Sequence, residues 1–318
     1  MVSACSSPGP AANHAGVDAN VDRGNQSAGG NGGRGANTEA DSGAARPPTV
    51  PTPDAANDAS SNRDGTSGGL SDASVDVPGP DSTATRDTMP NAFDPCPPSG
   101  TPCRIMPLGD SITHGIGSTS GAGYRVPLFQ RALAAKRALT FVGSDQNGPA
   151  TVDGIPFPPQ HEGHRMFIID TVGTRAGLLP LINEVVTTHR PHIVTLMIGT
   201  NDAGSSSYAA EAPRRMGELL DRIFVAAPNA LVVVAKIIPT TNDSRNQVVA
   251  TFNNALPAIV AARAAAGKAI LLVDMYQPFV GQADFKTALM ADSLHPNEAG
   301  FAKMAEVWWN AIQSHLRE

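Results

Sequence analysis

The chain has 318 residues, of which 16% are charged and 5% aromatic, with 31 Gly, 27 Pro and a formal net charge of −6. Its two parts differ sharply: residues 1–90 hold 11 acids against 5 bases and a single leucine, Leu70, whereas all aromatic residues lie at or beyond Phe93. The remainder is balanced, with 18 acids and 18 bases, which excludes the electrostatic footprint of a nucleic-acid or anionic-membrane binder. No run of eighteen apolar residues is present that would span a bilayer.

Residues 1–95 are expected to be a disordered, low-complexity tail, because so little apolar side chain cannot offset the entropy of ordering a backbone. A coil of that length has a root-mean-square span of about 50 Å, enough to tether a domain away from a surface. Cys5, in Val2-Ser3-Ala4-Cys5-Ser6-Ser7, resembles the lipidated cysteine that ends a bacterial lipoprotein signal peptide, although the apolar segment that should precede it is missing. Two readings stay open: a start lying upstream with Cys5 as a lipid anchor, or a chance cysteine in a polar tail. Cys96 and Cys103 bracket Cys-Pro-Pro-Ser-Gly-Thr-Pro-Cys. Its prolines and glycine turn the chain so that a disulfide is within reach, the alternative being two free thiols at a domain edge. Two ligands without a second pair are too few for zinc.

From Pro102 onward, short apolar runs alternate with helix-period segments. Strands are predicted at 104–108, 139–143, 193–198, 231–237 and 270–274, each bounded by Gly, Pro or Asp, and near-continuous apolar runs suit strands covered on both faces. Helices are predicted at 124–136, 174–188, 209–224, 245–265 and 297–316, the last with Phe301, Met304, Ala305 and Trp308 on one stripe. The alternation predicts one domain, 96–318, built as a three-layer α/β/α sandwich on a five-stranded parallel sheet. Ligands in such a sheet sit at the carboxyl ends of the strands.

Three polar groups follow predicted strands directly. Ser111 leaves the first in Gly109-Asp110-Ser111, where a hydroxyl can stand as a nucleophile or merely cap a helix. Asn201, in Gly199-Thr200-Asn201-Asp202, can aim its amide at a developing oxyanion. Asp292 and His295 follow the last strand, the imidazole serving as base and the carboxylate fixing its tautomer. Each signal is weak alone; the ordered set is specific.

Gly109-Asp110-Ser111, Gly199-Thr200-Asn201-Asp202 and Asp292-x-x-His295-Pro296 resemble blocks one, three and five of the SGNH (GDSL-like) hydrolases, over nearly all of 103–316. Ile105–Thr113, Gly123-Tyr124-Arg125, Phe141–Ser144 and His161-Glu162-Gly163-His164 are more narrowly similar to the xylan-esterase branch, carbohydrate esterase family three. The resemblance implies a flavodoxin-like sheet and a serine esterase without metal or cofactor, acting on an acetylated plant polysaccharide such as xylan. It implies Ser111, His295 and Asp292 as catalytic residues. The oxyanion would be held by the backbone of Ser111, the Asn201 amide and one further N–H. In that branch a Ser-Gly-aromatic triplet follows Glu-Gly-His and its glycine supplies this last donor; here Met166 stands at that place. Positive φ at Met166 would carry about 1–3 kcal/mol of strain, the alternative being a shifted loop that uses Gly163.

Other readings are weighed beside these. Tyr124 and Arg125 open a helix after the serine and can touch substrate or simply pack. His161 and His164 are spaced three apart with glycine between, which does not match a helical zinc motif. Gly115-Ile116-Gly117 lacks the third glycine of a dinucleotide loop. Besides carbohydrate deacetylation, a lipid-directed esterase or lysophospholipase is the second expectation, and a catalytically decayed carbohydrate-binding protein, supported only by Met166, the third. The tail and cysteines suggest a secreted or cell-surface bacterial location. Oligomeric state is not legible.

Overall fold

A computed structural model of the chain describes residues 93–318; the expectations for the tail and for Cys5 lie outside the described residues. In chain order the elements are β1 (Cys103–Gly109), α1 (Ser111–His114), α2 (Arg125–Ala134), β2 (Leu139–Phe141), β3 (Asp145–Gln146), β4 (Thr151–Val152), β5 (Ile155–Pro156), β6 (Gln160–Gly163), α3 (Ile182–His189), β7 (Ile193–Met197), α4 (Ser206–Ala209), α5 (Ala212–Ala226), β8 (Leu231–Ala235), α6 (Asp243–Ala265), β9 (Ile270–Val273), α7 (Gln277–Val280), α8 (Phe285–Ala288) and α9 (Glu298–Ile312).

The five strands expected from the sequence pair in parallel in the order β2-β1-β7-β8-β9. Every residue of β7 and β8 is buried, as a sheet covered on both faces requires. Helices α2 and α9 pack together, and α3, α5 and α6 form a second row. Phe301, Met304, Ala305 and Trp308 are fully buried along α9.

The sheet forks beside β1. Its first half, Cys103–Ile105, pairs with β2; its last residues, Leu108 and Gly109, pair with β6 instead. Antiparallel β3 extends this flank. The polar run Gln160-His161-Glu162-Gly163 has no apolar pattern to announce a strand. Pairing of its carboxylate offsets the burial: Glu162 accepts from the Ser144 N–H (2.5 Å) and from the Ser144 hydroxyl (3.0 Å).

The helix expected over 174–188 begins only at Ile182. Val172 and Arg175 bridge across a turn with Gly173 at φ +58°, and Gly177 packs where a Cβ would lie 2.3 Å from the Asp170 carbonyl carbon. Pro180 then biases Leu179 away from helical backbone. At the start of the domain Cys96 and Cys103 are disulfide-bonded, with Cα atoms 5.1 Å apart.

Among the described residues α6 alone has the length and apolar content of a membrane span. It carries Pro257 and buries Val249, Phe252, Asn253, Leu256 and Val260 in a fold where it meets α5 and β9.

Candidate active site

β1 delivers Gly109-Asp110-Ser111 to the carboxyl edge of the sheet. The Asp110 side chain caps α1 by accepting the Ile112 N–H at 2.9 Å, so the serine sits at the first helical position rather than serving as the cap. A Cβ on Gly109 would lie 2.3 Å from the Met197 carbonyl oxygen, which explains the glycine: β7 runs against it.

The histidine arrives from the other side of the cleft on the loop after α8. That loop is pinned by Ala291 N–H to His295 O (2.8 Å), Asn297 N–H to Leu289 O (2.9 Å) and the Asn297 amide to Ala288 O (3.0 Å). His295 Nε2 lies 2.9 Å from Ser111 Oγ, and its Nδ1 lies 2.7 Å from Asp292 Oδ2. The other oxygen of Asp292 accepts the Leu294 and His295 N–H groups at 2.7 and 2.8 Å. Burial pushes this carboxyl up, but the two backbone bonds and the imidazole together hold it below the usual carboxylate range, so it stays an acceptor that leaves Nε2 free for the serine.

Gly115-Ile116-Gly117 turns out to join these two loops. Gly117 has φ +97°, and a Cβ there would lie 2.3 Å from Pro296 O and 3.1 Å from His295 Cβ. Thr119 adds bonds from its N–H (2.6 Å) and hydroxyl (2.8 Å) to Glu298. The glycines serve close packing of backbone on backbone.

Asn201 lines the same cleft and spends one amide hydrogen on Phe167 O at 2.9 Å, leaving the second unspent. Met166 lies at the third position of a turn closed by Phe167 N–H to His164 O, with φ +66°. Glycine is the usual occupant there, so methionine holds a glycine conformation at a strain of about 1–3 kcal/mol. Its N–H has no partner among the described residues, nor has that of Ser111.

Three residues left open between two readings are placed by the structure. Gly163 is not a free donor: its N–H is given to His161 Nδ1 at 3.0 Å, and its Cα lies against α1, where a Cβ would meet His114 N at 2.4 Å. Tyr124 is fully buried beside Trp308, with ring centroids 5.9 Å apart. Arg125 is also fully buried; its guanidinium donates to Pro159 O (2.7 Å), Asn147 O (3.2 Å), His114 O (3.3 Å) and the Asn147 side chain. Both are structural residues rather than substrate contacts, because their polar side chains face inward.

His114, Asp145 and His161 bring potential ligand atoms within 4.8 Å of one another. Burial, then the positive charge of Arg125, drives His161 down to about 2, so it is neutral. Its Nδ1 lone pair already accepts the Gly163 N–H, which puts the ring proton on Nε2 and leaves no lone pair for a cation. His164 Nε2 meets Glu162 at 2.8 Å. The donor set does not suit a metal.

Two buried carboxyls underlie the cleft. Burial pushes Asp110 up to about 6, against the lowering effects of the Ile112 N–H, His295 and Arg245. It pushes Asp202 up to about 7, against the Ile169 N–H, with the Asp110 charge adding to the rise.

The cleft, about 460 Å³, is lined by Ser111, Asn201, His295 and Met166, and also by Arg165, Arg175, Tyr208 and Arg245. The sequence reading missed these last four. They sit inside long loops or helix starts, away from the strand ends that drew attention to the others, and no local pattern marks them.

The model of the GDSL-like lipase/acylhydrolase family matches residues 108–303. A multidomain esterase of Ruminococcus flavefaciens is 25% identical over 252 residues, 74% of this chain but only 32% of that longer protein. The structure of the family 3 carbohydrate esterase of Clostridium thermocellum aligns with a TM-score of 0.57 at 29% identity, covering 68% of this chain and 98% of that one. A family 3 carbohydrate esterase from Talaromyces cellulolyticus aligns with a TM-score of 0.53 at 25% identity, over 67% and 98% of the two chains. With the family's model matching residues 108–303 and a serine, an asparagine and a histidine lining one cleft within them, the chain belongs to the GDSL-like lipase/acylhydrolase family.

Proposed function

We propose that this chain is a serine esterase that hydrolyses carboxylic esters by acyl transfer, its substrate an acetylated polysaccharide. The observation that carries the reading is the continuous relay Ser111 Oγ–His295 Nε2 (2.9 Å) and His295 Nδ1–Asp292 Oδ2 (2.7 Å), at the wall of an open cleft. In the first step Ser111 Oγ attacks the ester carbonyl carbon while His295 takes its proton. The oxyanion is met by the Ser111 N–H, the Asn201 amide and the Met166 N–H. His295 then protonates the departing alcohol, the C–O ester bond breaks, and an acetyl-serine remains. Water, deprotonated by His295, attacks that ester and releases acetate and the free serine.

Polysaccharide as substrate is favoured by the likeness to two family 3 carbohydrate esterases at 25% identity or more. The unspent donors argue against a decayed site, since Met166 keeps the backbone a glycine would have. Replacement of Ser111 by Ala is expected to remove p-nitrophenyl acetate hydrolysis, by about a thousandfold or more, while the circular dichroism spectrum is unchanged. A folded variant with full activity overturns the mechanism. Acetate release from acetylated xylan, compared with a series of longer-chain esters, separates this substrate from a lipid one.

A further inference from the structure

The cleft holds three guanidinium groups, those of Arg165, Arg175 and Arg245, and no acid side chain lines it. This wall is not a by-product of overall charge, since acids and bases balance in residues 91–318. Among the described residues none of the three has a carboxylate within ion-pair distance, although the Arg245 charge acts on the buried Asp110 carboxyl. The two acids nearest His295 in sequence are engaged, Asp292 by that imidazole and two backbone N–H groups and Glu298 by the Thr119 N–H and hydroxyl.

The three arrive from separate segments. Arg165 adjoins Met166 in the turn after β6; Arg175 stands on the Val172–Arg175 turn; Arg245 lies in the first turn of α6, where its Nη2 donates to Thr200 O. The Nε atoms of Arg175 and Arg245 are buried without a hydrogen-bond partner. Like charges gathered with donors unspent are unfavourable unless an anion joins them. A guanidinium fork matches a carboxylate in two parallel bonds, and a neutral acetylated sugar offers only hydroxyls and ester oxygens in return.

We propose that the ester this site accepts is borne on, or beside, a sugar that carries a carboxylate, a uronic acid, and that Arg165, Arg175 and Arg245 receive that carboxylate. The inference rests on the esterase reading above and narrows its substrate class.

The test measures acetate release by the full chain from an acetylated methyl galacturonoside, as the free acid and as its uncharged carboxamide, with p-nitrophenyl acetate alongside. The free acid is expected to be preferred in kcat/KM by about tenfold or more. That preference should shrink as salt rises from about 0.05 to 0.5 M, while the carboxamide rate is much less salt-dependent. In an Arg165→Gln, Arg175→Gln variant the ratio of acid to carboxamide should fall towards one. Equal rates on the two sugars, or a preference indifferent to salt, overturn this inference and leave the esterase intact. No release from any of the three esters overturns the esterase reading itself. A lysophospholipid turned over faster than both sugars assigns the arginines to a phosphate and overturns the uronate.

Discussion

The two ends of the central sheet carry clefts of nearly equal size, about 460 Å³ at the carboxyl end and about 420 Å³ at the amino end, and of these two only the first is lined by Ser111 and His295. At the amino end, Arg104, Arg190, His192 and the loop between α5 and β8 meet. Two contacts join them: Arg104 N–H gives to His192 Nδ1 at 3.0 Å, and Arg104 Nε gives to Arg190 O at 2.8 Å, while among the described residues the Arg190 guanidinium has no acid partner. At the carboxyl end the Ser111 and Met166 N–H groups, one Asn201 hydrogen and three guanidiniums face the opening with capacity to spare. Volume therefore does not mark a site here. The Ser111–His295–Asp292 relay does, at the edge where parallel strands send every loop in the same direction.

The contrast can be broken most directly at Asn201. Asn201→Ala removes the amide proposed as an oxyanion donor and should lower kcat on p-nitrophenyl acetate by about 100-fold to 1000-fold with little change in KM; an unchanged kcat would remove Asn201 from the proposed oxyanion hole.

Gly117→Ala tests whether the two loops must touch. A Cβ at 2.3 Å from Pro296 O, on a residue at φ +97°, forces the histidine loop outward. Activity should drop by roughly tenfold to 100-fold, because small displacements of a catalytic group have effects of that order.

Asp202 probes the electrostatic burden of the functional end. Its carboxyl binds its proton more tightly in the folded chain, about 7, than at the ordinary 3.8. The stabilisation this gives is complete below about pH 4 and is lost as pH rises through 7. Asp202→Asn should therefore gain on the parent as pH goes from 4 to 8, by on the order of 3 kcal/mol, or about 5–10 °C in melting temperature. A gap between the two chains that does not move with pH would contradict the burial argument.

The smallest effect belongs to the amino end. His192→Ala leaves the Arg104 N–H without its acceptor and should lower stability by about 1–3 kcal/mol, with kcat/KM within twofold of the parent. A large loss of activity would mean that the quiet end is coupled to the chemistry.

Legibility in the sequence followed the same division. Ser111 and Asn201 could be found because each leaves a strand of continuous apolar residues, and position relative to a strand end is a local property; Asp292 and His295 lie beyond α7 and α8 and were legible from their own Asp-x-x-His spacing. β6 could not, since Gln160-His161-Glu162-Gly163 is polar and becomes a strand only because Ser144, His164 and the end of β1 satisfy it. Tyr124 and Arg125 stayed open between substrate contact and packing for a related reason. An arginine after a catalytic loop looks exposed until four acceptors, from His114, Asn147 and Pro159, close around it.

By itself the sequence determined the alternation of strands and helices, the parallel sense of the five strands and the edge where the polar residues would gather, because these depend on periodicity and on residues adjacent in the chain. Tertiary structure alone decided whether Met166 or Gly163 keeps a free N–H, that Gly117 seats the histidine loop, and that three distant arginines share one wall. Each of those depends on which hydrogen-bond partners have already been taken, and partners are chosen by folding across intervals no local pattern spans.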